Sequence, residues 1–128
     1  MSRGVLDASC LLALLNQERG AHIVAEAIGG GASVSAVNFS EVVAKFAERG
    51  VAESVIRNSL ETLGLEVVAF DSDLAYVAGL LRPDTRKAGL SFGDRACLAL
   101  ARRRGTEVLT ADRTWSDLGL DVAVRLIR

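Results

Sequence analysis

The chain has 128 residues, of which 50% are hydrophobic and 24% charged, with a net charge of −1. That mixture can bury a core in one domain, spanning residues 1–128, and argues against disorder or a coiled coil. The charge balance carries no overall signature of nucleic-acid binding. The longest apolar run, Cys10 to Leu15, is far short of the roughly 20 residues a membrane span needs, and the N-terminus lacks the pattern of a secretory leader, so a cytoplasmic protein is expected.

In chain order, Val5–Leu6 reads as a strand, and residues 9–16, apolar on nearly all sides, as a helix packed against a sheet. His22, the only histidine, is expected on a solvated helix surface. Ser33–Ser35 is a second strand. From Asn38, residues Phe39, Val42, Val43 and Phe46 keep helical spacing, and after Gly50 a second helix presents Val55, Ile56, Leu60 and Leu63. Residues 66–69 form a third strand. A helix from Asp71 follows, with Leu74, Val77, Ala78 and Leu81 on one face, ended by Pro83. A polar loop with Arg86, Lys87 and Gly89 leads to a helix over 93–104 that buries Ala96, Cys97, Leu100 and Ala101. Residues 107–109 and 123–126 are the last strands. Cys10 and Cys97, far apart and in no metal-binding spacing, read as buried thiols. Strands alternating with helices predict an α/β fold with a mostly parallel sheet.

In such a sheet the strand C-termini and the following helix N-termini share one edge, and ligands bind there where the strand order reverses. Asp7 closes the first strand in Val5-Leu6-Asp7-Ala8-Ser9. Glu41 is placed in the first turn of the helix after the second strand, in Ser35-Ala36-Val37-Asn38-Phe39-Ser40-Glu41. Asp94 lies in the first turn of the helix opened by Leu90-Ser91-Phe92-Gly93, and Asp112 follows the fourth strand in Val108-Leu109-Thr110-Ala111-Asp112. All four acids therefore project toward one rim.

Each has a structural explanation taken singly. Asn38-x-x-Glu41 and Ser91-x-x-Asp94 resemble capping boxes, and Asp7 and Asp112 can be N-caps. Together they read differently, because capping does not favour acids over Ser or Thr at every site. Four carboxylates on one rim also repel each other unless a cation sits among them. Oxygen ligation without histidine points to Mg²⁺ or Mn²⁺. Such an ion polarises a phosphoryl oxygen and activates water, the equipment of phosphodiester hydrolysis. Ser9 and Thr110 stand two residues from an acid and are candidates to hold a carboxylate, or else simple caps.

At these residues the chain resembles PIN-domain ribonucleases, specifically VapC-type toxins of bacterial toxin–antitoxin pairs. The matching pieces are Val5-Leu6-Asp7-Ala8-Ser9, Ser35-Ala36-Val37-Asn38-Phe39-Ser40-Glu41-Val42, Leu90-Ser91-Phe92-Gly93-Asp94-Arg95-Ala96-Cys97-Leu98-Ala99 and Val108-Leu109-Thr110-Ala111-Asp112-Arg113-Thr114-Trp115. They occur in the family's order and span nearly the whole chain. The resemblance implies a three-layer α/β/α sandwich with strand order 3-2-1-4-5. It implies one or two Mg²⁺ or Mn²⁺ ions held by Asp7, Glu41, Asp94 and Asp112, with Ser9, Asn38 and Thr110 in support. It further implies RNA cleavage leaving 5′-phosphate and 3′-hydroxyl ends, a homodimer, and a VapB-type antitoxin covering the groove, with the hairpin over 38–63 contributing to pairing or docking. Some members carry a further acid where this chain has Thr114.

Arg82, Arg86, Lys87 and Arg95 are candidates for phosphate contacts, whereas a solvated helix face accounts for Arg102, Arg103 and Arg104. Phe92 and Trp115 lie near the rim by sequence and read as packing residues. Gly29-Gly30-Gly31 precedes the second strand, the wrong place to cradle a pyrophosphate. The alternatives are a catalytically silent binding module for RNA or protein, and a metal-dependent phosphatase.

Overall fold

A computed structural model describes residues 3–128. Its described residues form β1 (Val5–Leu6), α1 (Ala8–Leu15), α2 (Ala21–Gly29), β2 (Ser33–Ser35), α3 (Ala36–Glu48), α4 (Glu53–Glu61), β3 (Glu66–Val68), α5 (Ser72–Leu80), α6 (Arg82–Thr85), α7 (Phe92–Arg104), β4 (Val108–Thr110) and β5 (Val124–Leu126). A short 3-10 helix, Arg113–Asp117, joins the last two strands. The five strands make one sheet in the order β3-β2-β1-β4-β5, and every neighbouring pair is parallel. The expected α/β class and strand order both hold.

Alternation along the strands sends side chains to opposite faces. Val5 and Val108 join Leu74, Ala78, Cys97, Leu98, Leu100 and Trp115 in one core layer, covered by α5 and α7. Leu6, Val34 and Leu109 join Cys10, Leu11, Val24, Val42, Ile56 and Leu60 in the other, covered by α1 to α4. The sandwich thus has helices on both faces, which is why its central strands are apolar on both sides. Cys10 and Cys97 are buried free thiols. Burial pushes both thiols well above the ordinary range, so they pack as small apolar groups.

Three local readings change. Ser35 caps α3 with its hydroxyl on Val37 N, so the helix begins directly at the end of β2 and Glu41 sits in its second turn. Pro83 does not simply end α5; it stands in the first turn of α6, where a missing N–H costs nothing. The segment around the exposed His22, left without helix bounds by the sequence, is α2. The chain crosses from β1 to β2 on one side and from β3 back past β1 to β4 on the other, so the switch point lies between β1 and β4. Among the described residues no helix is long and apolar enough to cross a membrane.

Candidate active site

Asp7 leaves the end of β1 at that switch point and is only 4% exposed. It N-caps α1, its Oδ1 accepting from Cys10 N at 3.0 Å. Ser9 Oγ donates to the same oxygen at 2.6 Å and itself accepts from Ala111 N at 2.9 Å. Thr110 Oγ1 donates to Asp7 Oδ2 and accepts from Asp112 N at 3.0 Å. Two hydroxyls therefore clasp the carboxylate from both sides and tie it to the loop after β4. Burial raises the Asp7 pKa above its ordinary value, and the Ser9 and Thr110 hydrogen bonds offset only part of that.

Glu41 approaches from α3. Asn38, 1% exposed, donates from Nδ2 to Glu41 Oε1 at 2.9 Å and to the Gly93 carbonyl at 3.0 Å. It pins the Glu41 carboxylate to the start of α7. A Cβ at Gly93 would lie 2.5 Å from both Glu41 carboxylate oxygens, so the approach depends on a glycine. The Glu41 pKa is raised, first by burial and then by the charges of Asp94 and Asp7. The charges of two acids distant in sequence, Asp7 and Asp94, thus both reach Glu41.

Asp94 sits in the first turn of α7 in a reciprocal capping box with Ser91. Its Oδ2 accepts from Ser91 N at 2.9 Å. Asp112 opens the 3-10 helix, its Oδ1 accepting from Thr114 N at 2.9 Å and from the Thr114 hydroxyl at 2.7 Å. Capping and ligation are compatible here, because capping occupies one oxygen of each group. Among the described residues, Glu41 Oε2, Asp94 Oδ1 and Asp112 Oδ2 accept no hydrogen bond. None of the four acids is ion-paired among the described residues; the bridges lie elsewhere, as in Arg102–Asp121, Arg103–Asp71 and Arg104–Glu66. Asn38 Oδ1 is buried without a partner.

The side chains as they stand do not form a closed cage. Among the described residues no three of His, Cys, Asp and Glu are grouped closely enough to hold one ion. The charges of Asp7 and Asp94 reach Glu41, whereas the Asp112 carboxylate is turned to its own helix. The donor set, all oxygen and without a counter-charge, still fits a hard divalent cation.

The basic candidates divide. Arg82, Arg86 and Lys87 are exposed on α6 and the loop after it. Arg95 is engaged in packing: Nη1 donates to the Ala78 carbonyl at 2.9 Å, and its guanidinium carbon lies 5.9 Å from the Phe92 ring centre. Trp115 is buried, as expected, but Phe92 is 50% exposed. The sequence reading gave Gly93 no role. Its signal was a helix-disfavouring residue inside the first turn, between an aromatic and an acid.

A five-stranded parallel sandwich with acids gathered at its switch point defines a class, and the sequence matches it: residues 4–120 match the PIN domain, and the chain belongs to that family. Within it the likeness runs to the VapC ribonucleases. A VapC ribonuclease of Mycobacterium bovis is 30% identical over 114 residues, covering 82% of this chain and 87% of that one. The fold is shared with a toxin–antitoxin complex from Klebsiella pneumoniae at 21% identity, with a TM-score of 0.77 and 98% of each chain covered. It is shared too with a DNA-bound VapBC from Salmonella typhimurium at 19% identity, with a TM-score of 0.78 and all of both chains covered.

Proposed function

We propose that this chain is the toxin of a type II toxin–antitoxin pair, an endoribonuclease that depends on Mg²⁺ or Mn²⁺. The observation that carries this reading is the convergence on Glu41, at the start of α7, of the Asp7 and Asp94 charges, with no positive side chain among the described residues paired to any of the three. The kinship with VapC ribonucleases supports RNA as the substrate.

In this reading Asp7, Glu41, Asp94 and Asp112 hold one or two ions. When bound, the ion neutralises charge building on the phosphoryl oxygens and lowers the pKa of water. The chain's own groups supply the rest. Ser9 and Thr110 fix the direction of the Asp7 carboxylate, and Asn38 fixes that of Glu41. The Ser91 box keeps the Asp94 backbone at the rim while leaving one oxygen free. Arg82, Arg86 and Lys87 are exposed cations available to the RNA backbone, and Arg95 contributes through packing. Water is the nucleophile and the 2′-hydroxyl is unused, so the products carry 5′-phosphate and 3′-hydroxyl ends.

A VapB-type antitoxin is the expected partner, as in the solved complexes that share the fold. The cleft between α3 and α4, about 520 Å³ and lined by Phe39, Val43, Val51, Ile56 and Leu60, is an apolar seat suited to one of its segments. The exposed Tyr76 and Leu80 of α5, one helical turn apart, suit a homodimer contact.

The decisive experiment maps new RNA 5′-phosphate ends across a bacterial transcriptome after induction of the wild type, beside Asp94→Asn. That substitution removes charge and keeps an oxygen for Ser91 N. Sharp ends present only with the wild type are expected. Equal maps would leave a silent binding module that holds RNA or protein without turnover.

A further inference from the structure

Aromatic side chains are scarce here: four phenylalanines, one tyrosine and one tryptophan. Trp115 is buried, and Phe39, Phe46 and Phe70 are half-buried. Tyr76 is exposed, but on α5 and not at an acid. Phe92 alone combines half exposure with a position at the helix end that carries the site, directly before Gly93 and Asp94 at the start of α7.

That ring is held on a built platform. Phe70, two residues beyond β3 and so on the same rim, meets it edge-on with ring centres 5.4 Å apart and planes at 83°. The Arg95 guanidinium lies 5.9 Å from its centre, within the range of a cation–π contact, and is itself anchored on the Ala78 carbonyl. Two groups thus hold the ring, Phe70 and Arg95, and half of the residue remains open.

We propose that Phe92 is a stacking platform for an unpaired nucleobase next to the phosphodiester at the acid cluster. Every base has a π-face, and unstacked bases of single-stranded RNA are taken up on rigid aromatic side chains. Phe70 and Arg95 are positioning residues for that ring. The subsite rests on the nuclease reading above, and it assigns to one side chain the contact that would tell an unpaired base from a paired one beside the cut.

The test uses the full chain with Ca²⁺ in place of Mg²⁺ and two probes, single-stranded oligoadenylate and its duplex with oligouridylate. Phe92→Ala and Phe92→Leu should each weaken oligoadenylate binding roughly tenfold, with circular dichroism unchanged. Phe92→Trp should keep the affinity, and its added emission should be quenched by the single strand and not by the duplex. Wild-type affinity in Phe92→Ala overturns the proposal, and so does full affinity in Phe92→Leu, which would make the ring mere apolar packing. Emission from Phe92→Trp that RNA leaves untouched also overturns it, as when a second copy or another protein covers the ring. The two readings fail separately. Unchanged affinity beside Asp94-dependent RNA ends sinks the stacking subsite alone, whereas absence of those ends in the wild type removes the nuclease reading and the subsite with it.

Discussion

Gly93 sets the distance at which Glu41 meets α7. Alanine is the better helix former by about 1 kcal/mol, so Gly93→Ala should keep or raise the melting temperature. Its methyl group would stand 2.5 Å from both Glu41 oxygens where the carboxylate now lies and must displace it. Calorimetric titration should show Mn²⁺ affinity lower by about tenfold, equivalent to ~1.4 kcal/mol; unchanged affinity would mean Glu41 does not ligate from this position. The same residue has a pH signature. Asp7 and Glu41 have raised pKa values in the folded state, so the folded chain binds these protons more tightly than the unfolded one. Their stabilising contribution is full below the ordinary values of 3.8 and 4.5 and is lost as pH climbs through the raised ones. Metal-free protein should therefore lose melting temperature from this source as pH rises above the ordinary carboxylate range. Glu41→Gln, which keeps an acceptor for Asn38, should flatten that profile and melt higher at neutral pH. A steeper profile in the variant would contradict the assignment.

At the scale of elements, the site is assembled from the ends of β1, α3, α7 and β4, and each end has its own local reason. The junction of β2 and α3 has no loop, so Ser35 caps the helix and Glu41 moves to the second turn. The Asn-x-x-Glu spacing looked like a capping box because Asn38 does bind Glu41, though side chain to side chain. On the far side, the 3-10 helix is held by Trp115, 1% exposed in the core layer of α5 and α7. Trp115→Ala should cost ~3–5 kcal/mol in urea unfolding and loosen the turn that carries Asp112. Trp115→Phe should cost much less, since the indole Nε1 is buried without a partner. Equal losses in the two variants would show that ring volume is not what anchors the turn.

For the molecule as a whole, the sheet carries several acids toward one edge, and among the described residues none of them is ion-paired. An ion that binds only the folded state adds stability by mass action, about 2.7 kcal/mol at a hundredfold excess over its dissociation constant. Mn²⁺ or Mg²⁺ should raise the melting temperature of the wild type and do so less in Asp94→Asn. A wild type indifferent to both ions would leave the acids as caps and nothing more. The arrangement observed, with one oxygen of Asp94 and one of Asp112 committed to capping, fits a site whose final coordination is completed by the ion.

The sequence by itself determined the alternation of strands and helices and the placement of Asp7, Asp94 and Asp112 at strand ends and helix starts; Glu41 lies one turn further into its helix. Periodicity and capping are local, and in a parallel α/β sheet those ends fall on one edge whatever the side chains do. The strand bounds were legible to within a residue, as at β4, where Thr110 replaced Glu107 as a strand member. What only the tertiary structure decided lies between segments distant in the chain. The pairing of β1 with β4 brings Thr110 to Asp7 across 103 residues. The packing of α3 on α7 puts Glu41 over Gly93, and that of α5 on α7 draws Arg95 away toward Ala78 and leaves Phe92 open. Those distances follow from helix packing and sheet register, which depend on the whole core at once and leave no mark in any single stretch of sequence.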